Sequence, residues 1–275
     1  PSDLSGAYTE EDIVQAGYSV TELADASFNA TTLVNNYNPT DLSGVYEQTE
    51  IISAGFTVAQ MHYSGYSASE LIGNYSPTDL SGIYTQTEIL NAGYSVLELY
   101  NAGFASSSLV GIYDAIDLSG VYSDNQILSA GYNVQELLDI NFTDVQVRTV
   151  GYTSLQFKND ANYDATQLIG AGFGIQDLYD ASFGIIDISN AGFNGSQLRE
   201  VGFGISEMSV AGFSNENLFS AGYTATDMLV IEQNVVNLKT LGYSALQLKE
   251  AGISLTDLYN ANFTITELQA AGYTT

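Results

Sequence analysis

Apolar and polar residues follow a fixed beat of nine or ten positions along this chain. The stretch Ala16–Phe28, AGYSVTELADASF, shows one beat: an aromatic, a hydroxyl residue, two variable positions, an acid, a leucine, then residues closing on a small pair and the next aromatic. Ser19 followed by Glu22 forms a capping box, in which the hydroxyl accepts from the third helical N–H and the carboxylate accepts from the cap's own N–H. Tyr18 before the cap and Leu23 at the fourth helical position have the spacing of a hydrophobic staple. At the other end, Ala92-Gly93-Tyr94 and Ala54-Gly55-Phe56 put glycine just past the last helical residue, where the left-handed conformation closes a helix. In such an ending the residue after the glycine packs back on the third-last helical position, which from Tyr94 is Ile89, in the leucine slot.

Each beat therefore predicts a helix of about six residues with both ends capped. Such a helix is unstable alone, because about 12–15 residues are needed even for marginal helicity in water. It exists only by stacking on its neighbours. The expected fold is all-α: a short-repeat α-solenoid of about 28 capped one-to-two-turn helices, wound as a superhelical rod with roughly 20 residues per antiparallel hairpin. A β-solenoid is the alternative. Against it, strand-like alternation is absent while the staple and capping box recur.

Aromatic slots run from Tyr8 to Tyr152 with steps of 10, 10, 9 and 9, a 38-residue superperiod marked by Asp-Leu-Ser-Gly at Asp3, Asp41, Asp79 and Asp117. Pro39 and Pro77 stand at the first helical position of such units, where a missing N–H costs nothing. After Tyr152, one eleven-residue step through Phe157 leads to Tyr163, and the spacing is then a strict ten as far as Tyr273. The division is a change of register within a single array, 1–152 with the superperiod and 153–275 nearly strict decads. No Pro/Gly/Ser-rich or charged spacer separates two domains. Of 28 slots, 26 are aromatic; the exceptions are Ile253 and Gln233. At Gln233 the small-Gly-aromatic ending is also lost, which predicts a longer or differently closed helix.

Net charge narrows the partners. It is −27, with Arg148, Lys158, Arg199, Lys239 and Lys249 the only basic residues besides one histidine. Such a surface repels phosphate backbones and anionic membranes, so nucleic acid is set aside. No apolar run approaches the roughly 18 residues of a membrane span. The chain has no cysteine, hence no disulfide or thiolate metal site. High acidity with scarce lysine suits a secreted, cell-surface or virion protein. A start at Pro1 with no visible signal peptide, and an end at Tyr273-Thr-Thr within the pattern, point to a processed or partial chain.

The unit resembles the ten-residue repeat of form A-G-[FY]-[ST]-x-x-[DEQ]-L found in large proteins of aquatic microbes and giant viruses. Ala221-Gly222-Tyr223-Thr224-Ala225-Thr226-Asp227-Met228 carries the likeness, and it covers essentially the whole chain. The superperiod is a departure from a plain decad array. The resemblance implies the fold and brings no activity with it.

Candidate chemistry is sparse. Acids recur at one slot, among them Glu22, Asp41, Glu70, Glu98, Asp177, Asp227 and Glu267. A calcium ladder is one reading. Helix capping is the better one, because the slot coincides with the capping-box position. His62 stands alone and builds neither a zinc site nor a triad. No catalytic, metal or cofactor residue is singled out, and the expectation is a non-enzyme without cofactor. Asn29, Asn74, Asn141, Asn194 and Asn262 head Asn-x-Ser/Thr sequons open to glycosylation; as helix caps or in the glycine slot, four of them also have local conformational reasons to be there. Tyr63 lies outside the slots. Tyr100, Tyr179, Phe219 and Tyr259 each follow the leucine slot and make the best candidate for a lateral contact surface. The expected function is a structural repeat protein that self-associates into a filament or appendage. The alternative is an adhesin-like solenoid recognising a protein or glycan on one face.

Overall fold

The computed structural model describes residues 1–274, and these fall into two compact units, Pro1–Tyr132 and a second from Asn133 onward. Among the described residues the first unit holds eleven α-helices and three 3-10 helices, and the second holds fourteen α-helices. Isolated bridges such as Ser43 with Tyr46 occur, but no strand forms among the described residues, so the β-solenoid alternative falls. The fold is a short-repeat α-solenoid.

One unit shows why the sequence folds this way. In helix Val20–Asp25, Ser19 accepts from the Glu22 N–H while the Glu22 carboxylate accepts from the Ser19 N–H at 2.9 Å. At the far end the Phe28 N–H donates to the Leu23 carbonyl and the Ser27 N–H to the Ala24 carbonyl. That pair of bonds is a Schellman ending, and it puts Ser27 at φ 72°. The leucine-slot carbonyl and the next aromatic's N–H are thus tied directly. The same bond joins Phe104 to Leu99, Phe183 to Leu178 and Tyr243 to Leu238.

Nine-residue steps shorten the helix instead of the loop. Pro39–Leu42 and Pro77–Leu80 have four residues against the six of Val20–Asp25, and the next aromatic donates back four positions rather than five, Tyr46 to Leu42 and Tyr84 to Leu80. Two of the 3-10 helices, Ala68–Leu71 and Ser106–Ser108, are nine-residue units as well. The eleven-residue step does the opposite: Ser154–Ala161 has eight residues and closes on Asn162 at φ 56°. At Gln233 the helix is shorter, not longer. Ala225–Met228 stops after four residues, and the Glu232 N–H donates to the Met228 carbonyl. The Glu232 carboxylate then accepts from the Asn234 N–H and from the Asn237 and Asn215 amides, replacing the missing aromatic closure with a polar one.

Within each unit, helices stack chiefly on the helix two positions along. Val134–Asp139 lies on Ser154–Ala161, Ala165–Gly170 on Ile185–Asn190, and Ala68–Leu71 on Gln86–Ala92. Two helices therefore make one turn, and helices of one row lie above one another in successive turns. The leucine slots form the core: Leu23, Leu42, Leu99, Leu178, Leu218 and Leu258 are all fully buried.

Candidate functional site: the seam between alternate helices

Two side-chain positions build the contact between turns. The first is the aromatic slot. Its residue precedes the N-cap, so its own carbonyl lies outside the helix and takes no intrahelical bond. A tyrosine two slots further on supplies the donor. The Tyr94 hydroxyl donates to the Tyr75 carbonyl at 2.8 Å, Tyr122 to Phe104 at 2.6 Å and Tyr132 to Tyr113 at 2.9 Å. In the second unit Tyr223 donates to the Phe203 carbonyl at 2.6 Å, and Tyr243 to the Tyr223 carbonyl. Tyr163, displaced by the eleven-residue step, donates instead to the Asp144 carboxylate at 2.7 Å.

Burial raises the pKa of these phenols. Tyr84, Tyr113 and Tyr243 are pushed up chiefly by desolvation and further by neighbouring carboxylates, and Tyr94 and Tyr163 reach about 12. The folded state therefore holds these protons more tightly than the unfolded chain, whose phenols titrate near 10. Their contribution is complete below pH 10 and is lost as pH rises toward 12. Alkaline titration is expected to unfold the protein steeply in that window, with tyrosinate absorbance and loss of helical circular dichroism rising together. Tyr243→Phe leaves the Tyr223 carbonyl without its donor at a site where Tyr243 is buried. It should destabilise the second unit by about 1–3 kcal/mol, measured by urea unfolding.

The second position directly follows the leucine slot. Its side chain leans over the closing turn and aromatic ring two units on, and it acts as a clasp. His62 meets Tyr84 edge-on with centroids 4.7 Å apart, Tyr100 meets Tyr122 at 5.0 Å, Tyr179 meets Phe203 at 5.0 Å and Phe219 meets Tyr243 at 4.8 Å. All five Lys and Arg residues use the same position. Arg148, Lys158, Arg199, Lys239 and Lys249 each lie over the ring of Phe173, Phe183, Tyr223, Phe263 or Tyr273, the lysines at 4.3–4.4 Å. The lysines also donate to the last carbonyls of the turn they cover: Lys158 to Ala181 at 2.7 Å, Lys239 to Asn262 at 2.6 Å, and Lys249 to Ala271 at 2.8 Å. A cation there satisfies orphan carbonyls, complements the helix's negative end and attracts the ring's π-face.

Tyr100, Tyr179, Phe219 and Tyr259 do share one place on their units, as their spacing predicts. Three of them have a ring edge engaged within the seam, and Tyr259 is 68% exposed. Sequence reasoning grouped these aromatics but separated them from His62 and the basic residues, although all occupy one slot. Residue type hid the equivalence; position in the repeat carries it.

The acids have local work. Glu70 and Glu98 accept from the N–H groups of Ser67 and Ser95, and Asp177 and Glu207 accept from those of Gly174 and Gly204. Hydrogen bonds from the cap hold Glu22, Glu70, Glu98 and Glu267 below the usual carboxylate range. Among the described residues no group of three or more His, Asp or Glu is placed to hold a metal ion, and no helix is long and apolar enough to cross a membrane. The sequon residues are all exposed. Asn29 and Asn194 cap helices, Asn141 and Asn262 take the left-handed position at φ 71° and 63°, and Asn74 follows the left-handed Gly73.

Comparison with known proteins agrees with this picture where the beat is most regular. No curated protein and no solved structure matches the chain. A family model described as "Decapeptide repeat region" matches residues 151–225 and 210–275, the part in which the ten-residue step is nearly unbroken.

Proposed function

We propose that this chain is a non-enzymatic structural repeat protein whose product is the stack itself. The observation that carries the reading is the interchangeability of the seam: successive turns repeatedly offer a tyrosine hydroxyl on one side and an aromatic-slot carbonyl on the other. A surface built this way is met by any turn of the same kind, including a turn from a second copy. We therefore propose self-association into a filament or appendage component, outside the cell, on its surface or in a virion. The net charge of −27 supports a strongly hydrated setting of that sort. Electron microscopy with light scattering on one sample tests this. Stacked rods whose mass exceeds 29.4 kDa in whole multiples are expected; a monodisperse single-chain mass at all concentrations overturns self-association.

The alternative, a binding solenoid recognising a protein or glycan on one face, is supported by the unequal residues at the clasp position. Those residues lead to a more specific reading.

A further inference from the structure

The first unit contains two open grooves that are copies of each other. The first, of about 510 Å³, lies between the Asp-Leu-Ser-Gly turn at Ser43–Tyr46 and the closing turn Ser64–Tyr66 of the next helix in the same row. The second, of about 440 Å³, lies between Ser81–Tyr84 and Ala102–Phe104. All but one of the residues lining the second stand 38 residues beyond residues lining the first.

Their origin is physical. Each groove sets a four-residue helix, Pro39–Leu42 or Pro77–Leu80, against a six-residue helix, Val58–Tyr63 or Val96–Asn101, so the shorter one leaves a notch. No clasp side chain covers the notch, because the clasp position of the short unit is a serine, Ser43 or Ser81. The Thr40–Ser64 and Gln48–Glu70 hydrogen bonds link lining residues of the first groove, and Gln86–Ser108 those of the second. A Cβ built on Gly65 or Gly103, the left-handed glycines of the covered turns, meets nothing within 4 Å; at Gly172, Gly222 and Gly272 it meets Arg148, Arg199 and Lys249 at 3.2–3.5 Å. Within this unit the rings differ as well. Tyr84 and Tyr122, under the clasps of His62 and Tyr100, are 6% and 5% exposed, while Tyr66 and Phe104 are half-buried.

The second unit shows what fits such a place. Its lysines put an ammonium over the ring and onto the closing carbonyls, and residues 1–147 contain no Lys or Arg to do so. We propose that the two grooves bind alkylammonium groups supplied by another molecule, each taking the place that Lys158, Lys239 and Lys249 fill within the chain. Glu47 and Glu70 line the first groove, and the second has Ser108 where the first has Glu70. The first groove is therefore the tighter site. A ligand with several ammonium groups engages both and gains avidity if its length spans them. This inference stands independently of self-association.

Calorimetric titration of the whole chain with n-butylammonium tests it. Saturable binding is expected, with Ser43→Lys removing the tighter site, Ser81→Lys the weaker, and the double variant weakening binding at least about tenfold. Both lysine variants should also unfold at higher temperature, since each carries its own clasp. Glu70→Gln keeps a residue type that caps helices elsewhere in this chain, as Gln60 does, and should weaken the first site alone. Binding that does not saturate, or that survives unchanged in the double variant, overturns the proposal; that variant's net charge moves only from −27 by +2 to −25, too little to abolish diffuse attraction. Spermidine and a neutral peptide carrying two lysines distinguish the source: the tighter binder identifies free polyamine or a basic protein segment.

Discussion

Leu178→Ala is expected to destabilise the second unit by about 2–5 kcal/mol. Leu178 is fully buried, and its carbonyl receives the N–H of Phe183 that closes its helix. Truncation removes the buried methyl and methylene groups and leaves a cavity between a helix and its neighbours in the adjoining turns. A helix of six residues, Ile175–Asp180, has little local stability with which to resist. In a stack whose units are held by their neighbours, the loss should spread along the array from that point. Hydrogen exchange should therefore show protection falling most in Ile175–Asp180 and in the helices two positions away, Ser154–Ala161 and Gly195–Glu200. Loss confined to one helix would contradict this account of the seam.

Gly242→Ala should cost about 2–4 kcal/mol, a sum of two separate effects. Gly242 closes helix Val235–Leu241 at φ 116°, a conformation an alanine adopts only with strain. A Cβ there also meets the Phe219 ring at 3.0 Å. Comparison with Gly252→Ala separates the two contributions. Gly252 is left-handed at φ 92°, but a Cβ on it meets nothing within 4 Å. Chemical denaturation should show Gly242→Ala to be the more harmful substitution by about 1–3 kcal/mol, and Phe219→Ala should recover part of that difference.

Much of the repeat is legible one unit at a time. Ser19, Glu22, Leu23 and the closing small residue lie within ten positions, so capping, staple and closure follow from spacing alone. The position of Pro39 and the left-handed role of Asn141 follow in the same way. At Gln233 the different closure is legible and its form is not. The absence of the aromatic was visible, but the outcome depended on the Glu232 carboxylate meeting Asn215, a residue of the preceding helix brought close by packing. The candidate surface was half legible. Tyr100, Tyr179 and Phe219 stood out as aromatics, yet their partners Tyr122, Phe203 and Tyr243 lie two units ahead.

The unit is written locally: a short helix and its two caps arise from bonds spanning at most six positions, and the need to bury its leucine by stacking follows from the helix being too short to stand alone. Tertiary structure alone decided which unit lies on which. Stacking every second helix brings together residues about 18–25 positions apart, and only there does the tyrosine find its carbonyl and the clasp its ring. The same long-range pairing turns a superperiod of 10, 10, 9 and 9, which in the sequence looks like a change of rhythm, into two open grooves, since in each a four-residue helix lies against a six-residue one.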